Sequence, residues 1–220
     1  MKTIFKRLFY LFFGLMLYAL GIVLTMQANI GYSPWEVFHA GLAKILKTQI
    51  GTMTTFVGLI IGIITLLFGE KIGFGSIVNM ICIGLFMNLL LASQIFVELS
   101  NPFYGILQLI VGLFVISFAS YFYISSGYGA GPRDSLMVLL ARKSRFSVGS
   151  IRAAMEITVT VIGALLGGFL GWGTLLSAIL IGFCVQITFK LLRFDPRLVE
   201  HENLLTTLKL LKAKVQKREV

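Results

Sequence analysis

The chain has 220 residues, of which 57% are hydrophobic and 13% charged, and its formal net charge is +10. Soluble domains carry about 25% charged residues, so this composition excludes an ordinary soluble globule and favours a membrane protein. The chain contains no motif for metal ligation, nucleophilic catalysis or phosphate binding. We therefore expect neither an enzyme nor a bound metal or cofactor.

Six apolar runs are each long enough to span a bilayer, which takes roughly 17 to 25 residues of helix. They cover residues 8–27, 52–68, 74–96, 104–125, 150–170 and 175–194. Lys2, Lys6 and Arg7 before the first run resemble the start of a signal peptide. That run exceeds the roughly 7 to 15 apolar residues of such peptides, so we expect an uncleaved first span.

A proline-initiated helix is predicted after the first span, in "GYSPWEVF" (residues 31–38). Ser33 is placed to cap it, Pro34 fits its first turn, and Glu36 completes a capping box. The segment, about 14 residues or 21 Å by helix rise, is too short to span. Its predicted apolar face leaves Glu36 and His39 outside and comprises Val37, Phe38, Leu42, Ile45 and Leu46.

Two placements of this short helix are open. It lies in the membrane interface, or it enters the bilayer as a half-helix whose amino terminus faces an anionic group. A carboxylate already occupies that terminus, which argues against direct ligand contact. His39 has no cysteine or carboxylate at ligand spacing in this interpretation, so no metal role is expected.

The sequence repeats at an offset of 98 residues. "GAGPRDSL" (residues 129–136) matches the first helix start, with Pro132 and Asp134 at the offsets of Pro34 and Glu36. Without a gap, 13 of the 60 positions in 31–90 are identical, and six of them are glycines. We expect one three-span repeat in residues 1–100 and another in 101–194.

Three spans per repeat is an odd number, so the second repeat would insert upside down relative to the first. With both termini in the cytoplasm, 17 lysines and arginines lie inside and only Lys44 and Lys47 lie outside. This positive-inside bias explains the basicity without a nucleic acid partner. Inverted repeats are typical of secondary transporters, although channels have them too.

Polar side chains within the spans are candidates for a solute pathway. Glu156 is the carboxylate well inside a predicted span, and Arg152, one turn earlier, is placed to neutralise it or to anchor the helix with it. The amides Asn79, Asn88 and Gln186 are further candidates, with helix packing as the alternative role. The residues of the two helix starts complete the candidate set: Pro34, Trp35, Glu36, Pro132, Arg133 and Asp134.

The tail, residues 195–220, is predicted to form a basic amphipathic helix. This basic helix would bind the anionic inner leaflet, with a short coiled-coil contact as the alternative. Its apolar stripe consists of Leu204, Leu208, Leu211 and Val215. A homo-oligomer is left open.

Three segments resemble the YczE/YitT-type bacterial integral membrane proteins: "IGYSPWEVFHAGL", "GFGSIVNMICIG" and "GYGAGPRDSLMVLL". They occupy residues 30–42, 73–84 and 127–140, and the likeness extends over about residues 1 to 193. The resemblance marks the Pro-Trp-acidic and Gly-Pro-Arg-Asp segments as family hallmarks. It also implies an aspartate where this chain has Asn88, which puts a cation or proton role there in doubt. The family implies a fold and a location but no activity.

The sequence as a whole predicts an all-α, six-span protein of the bacterial cytoplasmic membrane, built from inverted repeats and surrounded by lipid. Our leading hypothesis is a permease for a small polar solute. The alternative is a membrane-embedded scaffold or regulator that acts through a partner, with the basic tail as its contact.

Overall fold

The computed structural model describes residues 2–70, 72–129 and 131–199, and these ranges fold into α-helices and turns. The helices are α1 (Lys2–Gln27), α2 (Pro34–Leu46), α3 (Ile50–Leu67), α4 (Phe74–Ala92), α5 (Pro102–Ser125), α6 (Pro132–Lys143), α7 (Val148–Leu165) and α8 (Trp172–Leu191). All except α2 and α6 are long and apolar enough to cross a membrane, which confirms six spans. The predicted tail helix falls in residues 200–220, outside the described residues.

The short helices begin where the sequence places them. Ser33 and Gly131 are extended N-cap residues, and Pro34 and Pro132 follow them in the first turn. The predicted capping box at Ser33 is wrong, because the Ser33 side chain caps no backbone N–H. Its hydroxyl instead donates to the Glu36 carboxylate, a charged and therefore stronger acceptor.

Helices α1 and α5 pack side by side and run antiparallel. Near the start of α1, Arg7 Nε donates to the carbonyl of Ser126, just after α5, over 2.7 Å. Near the other end, the Gln108 amide of α5 donates to the carbonyl of Leu24 over 3.1 Å. On this central pair, α4 packs against α1 and α8 packs against α5.

The short helices join the two halves of the chain. Both α2 and α6 contact α3 and α7, so each short helix packs on a span from either half. The halves are therefore interlocked. A cut at residue 100 would leave each half without its packing partners.

Glycine-rich turns adopt the same backbone conformation in both halves. Gly69 and Gly167, 98 residues apart, each have φ of +86°, a value that side chains rarely adopt. Gly31 and Gly129 have φ of +117° and +126°. Gly69 and Gly167 follow the ends of α3 and α7, whereas Gly31 and Gly129 precede the starts of α2 and α6.

The predicted apolar face of α2 is wrong. Val37 is buried as predicted, but Ile45 and Leu46 are exposed, whereas Glu36 and His39, predicted to lie off the face, are almost fully buried. The spacing of apolar residues predicted the wrong face because α2 packs between α3 and α7, whereas the prediction assumed that only one side of the helix is buried. A helix surrounded by protein buries polar groups wherever partners are available for them.

Candidate functional site

A cavity of about 270 Å³ lies where α2 and α6 meet, and a second one of about 90 Å³ adjoins it. Both are lined by Tyr18 of α1, Trp35 of α2, Arg133 of α6 and Glu156 of α7. The walls of the larger cavity come from α3, α4, α5 and α8 as well. The site therefore draws on both halves of the chain.

Glu36, Arg133 and Trp35 form a charged cluster at the junction of the short helices. Arg133 Nη2 lies 3.5 Å from Glu36 Oε1, and the guanidinium carbon is 4.5 Å from the centroid of the Trp35 ring. Glu36 is 3% exposed, so this carboxylate is taken out of water and needs its cation. Trp35 and Arg133 occupy equivalent positions of the 98-residue offset.

The cluster continues through His39, one helical turn after Glu36. His39 Nδ1 lies 4.0 Å from Glu36 Oε1 and 3.1 Å from Thr54 Oγ1 of α3. The expectation that His39 has no carboxylate nearby was wrong, since Glu36 lies beside its ring, which is 1% exposed. The spacing Glu36-x-x-His39 was the available signal, because residues three apart share a helix face.

Burial keeps this imidazole neutral. The helix that carries it, α2, is not one of the six spans. Desolvation, and then the charge of Arg133, hold the pKa of His39 well below its usual range. His39 is thus a hydrogen-bonding group rather than a charge in the cavity wall.

Arg152 and Glu156 form the other ion pair of the site. Arg152 Nε donates to Glu156 Oε1 over 3.1 Å, one turn apart on α7. The side chains are 55% and 23% exposed, and both residues line the two cavities. The two charges of the pair neutralise each other on one helix, and both side chains face the cavities.

Three other predicted candidates line the larger cavity: Pro132, Asp134 and Asn79. Pro34 lines the smaller one. Asn88 does not line either cavity: its amide accepts from the Gly51 N–H (2.9 Å) and donates to Thr52 (3.0 Å). Gln186 is exposed on α8, also outside both cavities.

Sequence reasoning missed several lining residues. Tyr18 and Tyr123 reach the cavity from α1 and α5, and Ser120 lies beside Tyr123. They stand in apolar runs where nothing distinguishes them from packing residues. Among the described residues, no three histidine, cysteine or carboxylate side chains cluster in a way that could hold a metal ion.

The chain belongs to the family described as "Family of unknown function (DUF6198)", whose model matches residues 5–190. It is 34% identical over 189 residues to "Uncharacterized membrane protein YczE" of Bacillus subtilis (strain 168), covering 85% of this chain and 86% of the relative. An "Uncharacterized protein" of Haemophilus influenzae is 28% identical, with 88% of each chain covered. "Uncharacterized protein YyaS" of Bacillus subtilis is 24% identical, over 79% of this chain and 88% of the relative.

These relatives confirm the resemblance to YczE-type membrane proteins. No solved structure matches the chain. The names of these relatives state no reaction and no solute.

Proposed function

We propose that the protein is a permease for a small polar solute in the bacterial cytoplasmic membrane. It is built from two inverted repeats, has both termini in the cytoplasm and performs no catalytic step. The observation that carries this proposal is a difference between the two repeats around one shared cavity.

The inverted arrangement is supported by contacts that recur at the 98-residue offset. The Gly75 N–H donates to the Tyr128 carbonyl over 2.8 Å, and the Gly173 N–H donates to the Ile30 carbonyl over 2.7 Å. These bonds exchange when the two halves are exchanged, as a twofold axis requires. The antiparallel pairing of α1 and α5, the first spans of each repeat, supports the same inversion.

The repeats differ in how tightly their second and third spans pack. In the first, α3 and α4 approach so closely that a Cβ on Gly84 would clash with the Gly51 carbonyl oxygen. The equivalent glycines in the second repeat are apart: a Cβ on Gly182 would meet nothing within 4 Å, and one on Gly149 only Ser147 Oγ at 4.0 Å. Helices α7 and α8 scarcely touch.

One side-chain position next to these glycines follows the same division. In the first repeat, Met87 is covered by Thr54, whose hydroxyl oxygen lies 3.9 Å from its sulfur, and Met87 does not line either cavity. Its equivalent in the second repeat, Val185, lines the larger cavity.

Two related repeats, one closed and one open around a shared site, are what an alternating-access carrier needs. Exchange of the two arrangements would close α7 on α8 and open α3 from α4. The glycines needed for close approach are present in both repeats. In the proposed topology the open side, at the start of α7 and the end of α8, faces the cytoplasm.

A variant that fills the space needed for closure tests the proposal. We expect Gly182→Leu to fold as the wild type does, because the position is open, and to abolish solute flux in proteoliposomes, because α7 can no longer approach α8. Ala92→Leu, which adds the same side chain at an exposed position at the end of α4, is the matched control. Wild-type flux in Gly182→Leu, or no saturable flux of any polar metabolite in the wild type, would contradict the permease.

A further inference from the structure

We propose that the larger cavity recognises its solute through an ammonium group, which donates to Nε2 of His39 in a site whose two adjoining cavities together carry a net negative charge. The inference rests on the proposed permease function for its biological meaning. Its chemistry depends only on the atoms that line the cavity.

The hydrogen-bond partners of His39 decide which ring nitrogen is free. The Thr54 hydroxyl lies 3.1 Å from the Ile50 carbonyl, which can only accept, so its proton is used there. Thr54 Oγ1 is then an acceptor for Nδ1, and the Glu36 carboxylate stands on the same side of the ring at 4.0 Å. The proton of the neutral imidazole therefore resides on Nδ1, and Nε2 carries a lone pair.

Nε2 is buried and has no hydrogen-bond partner among the described residues. A buried acceptor without a donor costs free energy unless something in the cavity satisfies it. His39 lines the larger cavity, so a donor bound there would satisfy Nε2 once the neighbouring side chains move enough to expose this atom. An acceptor-only group such as a carboxylate would not.

The rest of the lining is also rich in acceptors. The Tyr123 hydroxyl donates to the Gly129 carbonyl and the Ser120 hydroxyl to the Ile116 carbonyl, each over 2.9 Å. Both hydroxyl oxygens can therefore only accept a further hydrogen bond. Three carboxylates and two guanidiniums line the joined cavities, which leaves one net negative charge: Glu36, Asp134 and Glu156 against Arg133 and Arg152. A cationic donor matches both the sign and the hydrogen bonding.

The volume limits the size of the solute. At about 270 Å³, the cavity is slightly smaller than the roughly 300 to 1,000 Å³ of pockets that hold drug-sized ligands, so it suits a smaller solute. A simple amine and a zwitterionic amino compound both meet this limit and share the ammonium group.

Binding of three small probes to the purified full-length protein tests the proposal: ethylammonium, β-alanine and propionate, measured by calorimetry at neutral pH. We expect the two ammonium compounds to bind and propionate to fail. If β-alanine binds more tightly than ethylammonium, the carboxylate of β-alanine also contacts one of the guanidiniums. If the two bind equally, the site recognises the ammonium group alone. Propionate binding as well as the amines, or no binding of either amine, would overturn the proposal.

Variants locate the contact. His39→Phe removes the lone pair and should weaken ammonium binding about 10- to 100-fold, the usual range for a hydrogen bond to a charged group. His39→Gln, which keeps a carbonyl acceptor, should recover part of it. Asp134→Asn changes the charge of an exposed side chain while keeping its size, and it should also weaken binding. Glu98→Gln, an exposed charge removal outside both cavities, should not.

Failure of this inference and failure of the permease are distinguishable. Amine binding without flux would leave the site standing and contradict the permease. Flux of a solute without an amine, unaffected by His39→Phe and Asp134→Asn, would leave the permease standing and overturn the ammonium site.

Discussion

Replacing Arg133 with methionine tests whether the buried cluster holds the two repeats together. At 3.5 Å and an effective dielectric constant of about 20, the Arg133–Glu36 attraction is about 5 kcal/mol before desolvation. The lost hydration of both groups offsets much of this, and the Arg133 side chain is 30% exposed. We expect a net coupling of about 2 kcal/mol.

The single variant should cost more than the coupling alone. Arg133→Met leaves the Glu36 carboxylate buried without its cation and removes the stack on Trp35, so we expect a loss of about 3 kcal/mol. Adding Glu36→Gln should then cost less than it does in the wild type, by the coupling energy. The measurement is a double-mutant cycle on the free energy of unfolding of the full-length protein in mixed micelles.

The exposed ion pair is the matched control. Arg152→Met breaks a pair on one helix whose side chains are 55% and 23% exposed, and should cost less than about 0.5 kcal/mol. Additive effects of Arg133→Met and Glu36→Gln, or an equally large loss in Arg152→Met, would refute the account of the cluster.

The remaining predictions compare equivalent positions of the two repeats, or remove the tail. Gly84→Ala should destabilise the protein by about 1 to 3 kcal/mol through its clash with Gly51, whereas Gly182→Ala, in open space on a helix, should be neutral or stabilising by up to about 1 kcal/mol; equal thermal shifts would argue against the closed and open repeats. Asn88→Leu should cost about 1 to 2 kcal/mol by losing its bonds to Gly51 and Thr52, while Gln186→Leu should leave the melting temperature unchanged; a loss in the second alone would contradict the assigned contacts. Truncation after Phe194 should leave flux in proteoliposomes intact, and loss of a co-purifying partner with no flux in either form would favour a scaffold or regulator.

The spans and the helix starts were predictable because their causes are local. Hydropathy over some twenty residues defines a span, and Pro34 and Pro132 fix the backbone of a first turn. The glycine turns recur because only glycine adopts the required φ without strain, which is why Gly69 and Gly167 appear at the same offset in the sequence.

The cluster around Glu36 was not predictable in the same way. A capping box explained Glu36 completely, so nothing in the sequence called for a partner 97 residues away. Its contact with Arg133 depends on α2 and α6 meeting end to end, which is a tertiary event. The predicted apolar face of α2 was wrong for the same reason. Hydrophobic periodicity predicts a buried face only where the opposite side of the helix is exposed, and most of α2 has no exposed side.

The ion pair on α7 shows the opposite case. Arg152 and Glu156 are four residues apart on one helix, so their bond follows from helix geometry alone. What the sequence left open was their exposure to the cavity, because that depends on α7 standing away from α8.

Topology is the claim on which the permease depends most directly. Trp35 and Arg133 contact each other and would report poorly on which side of the membrane each one lies. Lys47 and Arg145 are equivalent by the offset and lie after the ends of α2 and α6, so they are better probes. Each would be replaced by a single cysteine in a Cys82→Ala, Cys184→Ala background and exposed to a membrane-impermeant thiol reagent. We predict that a cysteine at 47 is labelled in intact cells and one at 145 only after permeabilisation; labelling of both from the same side would contradict the inverted repeat.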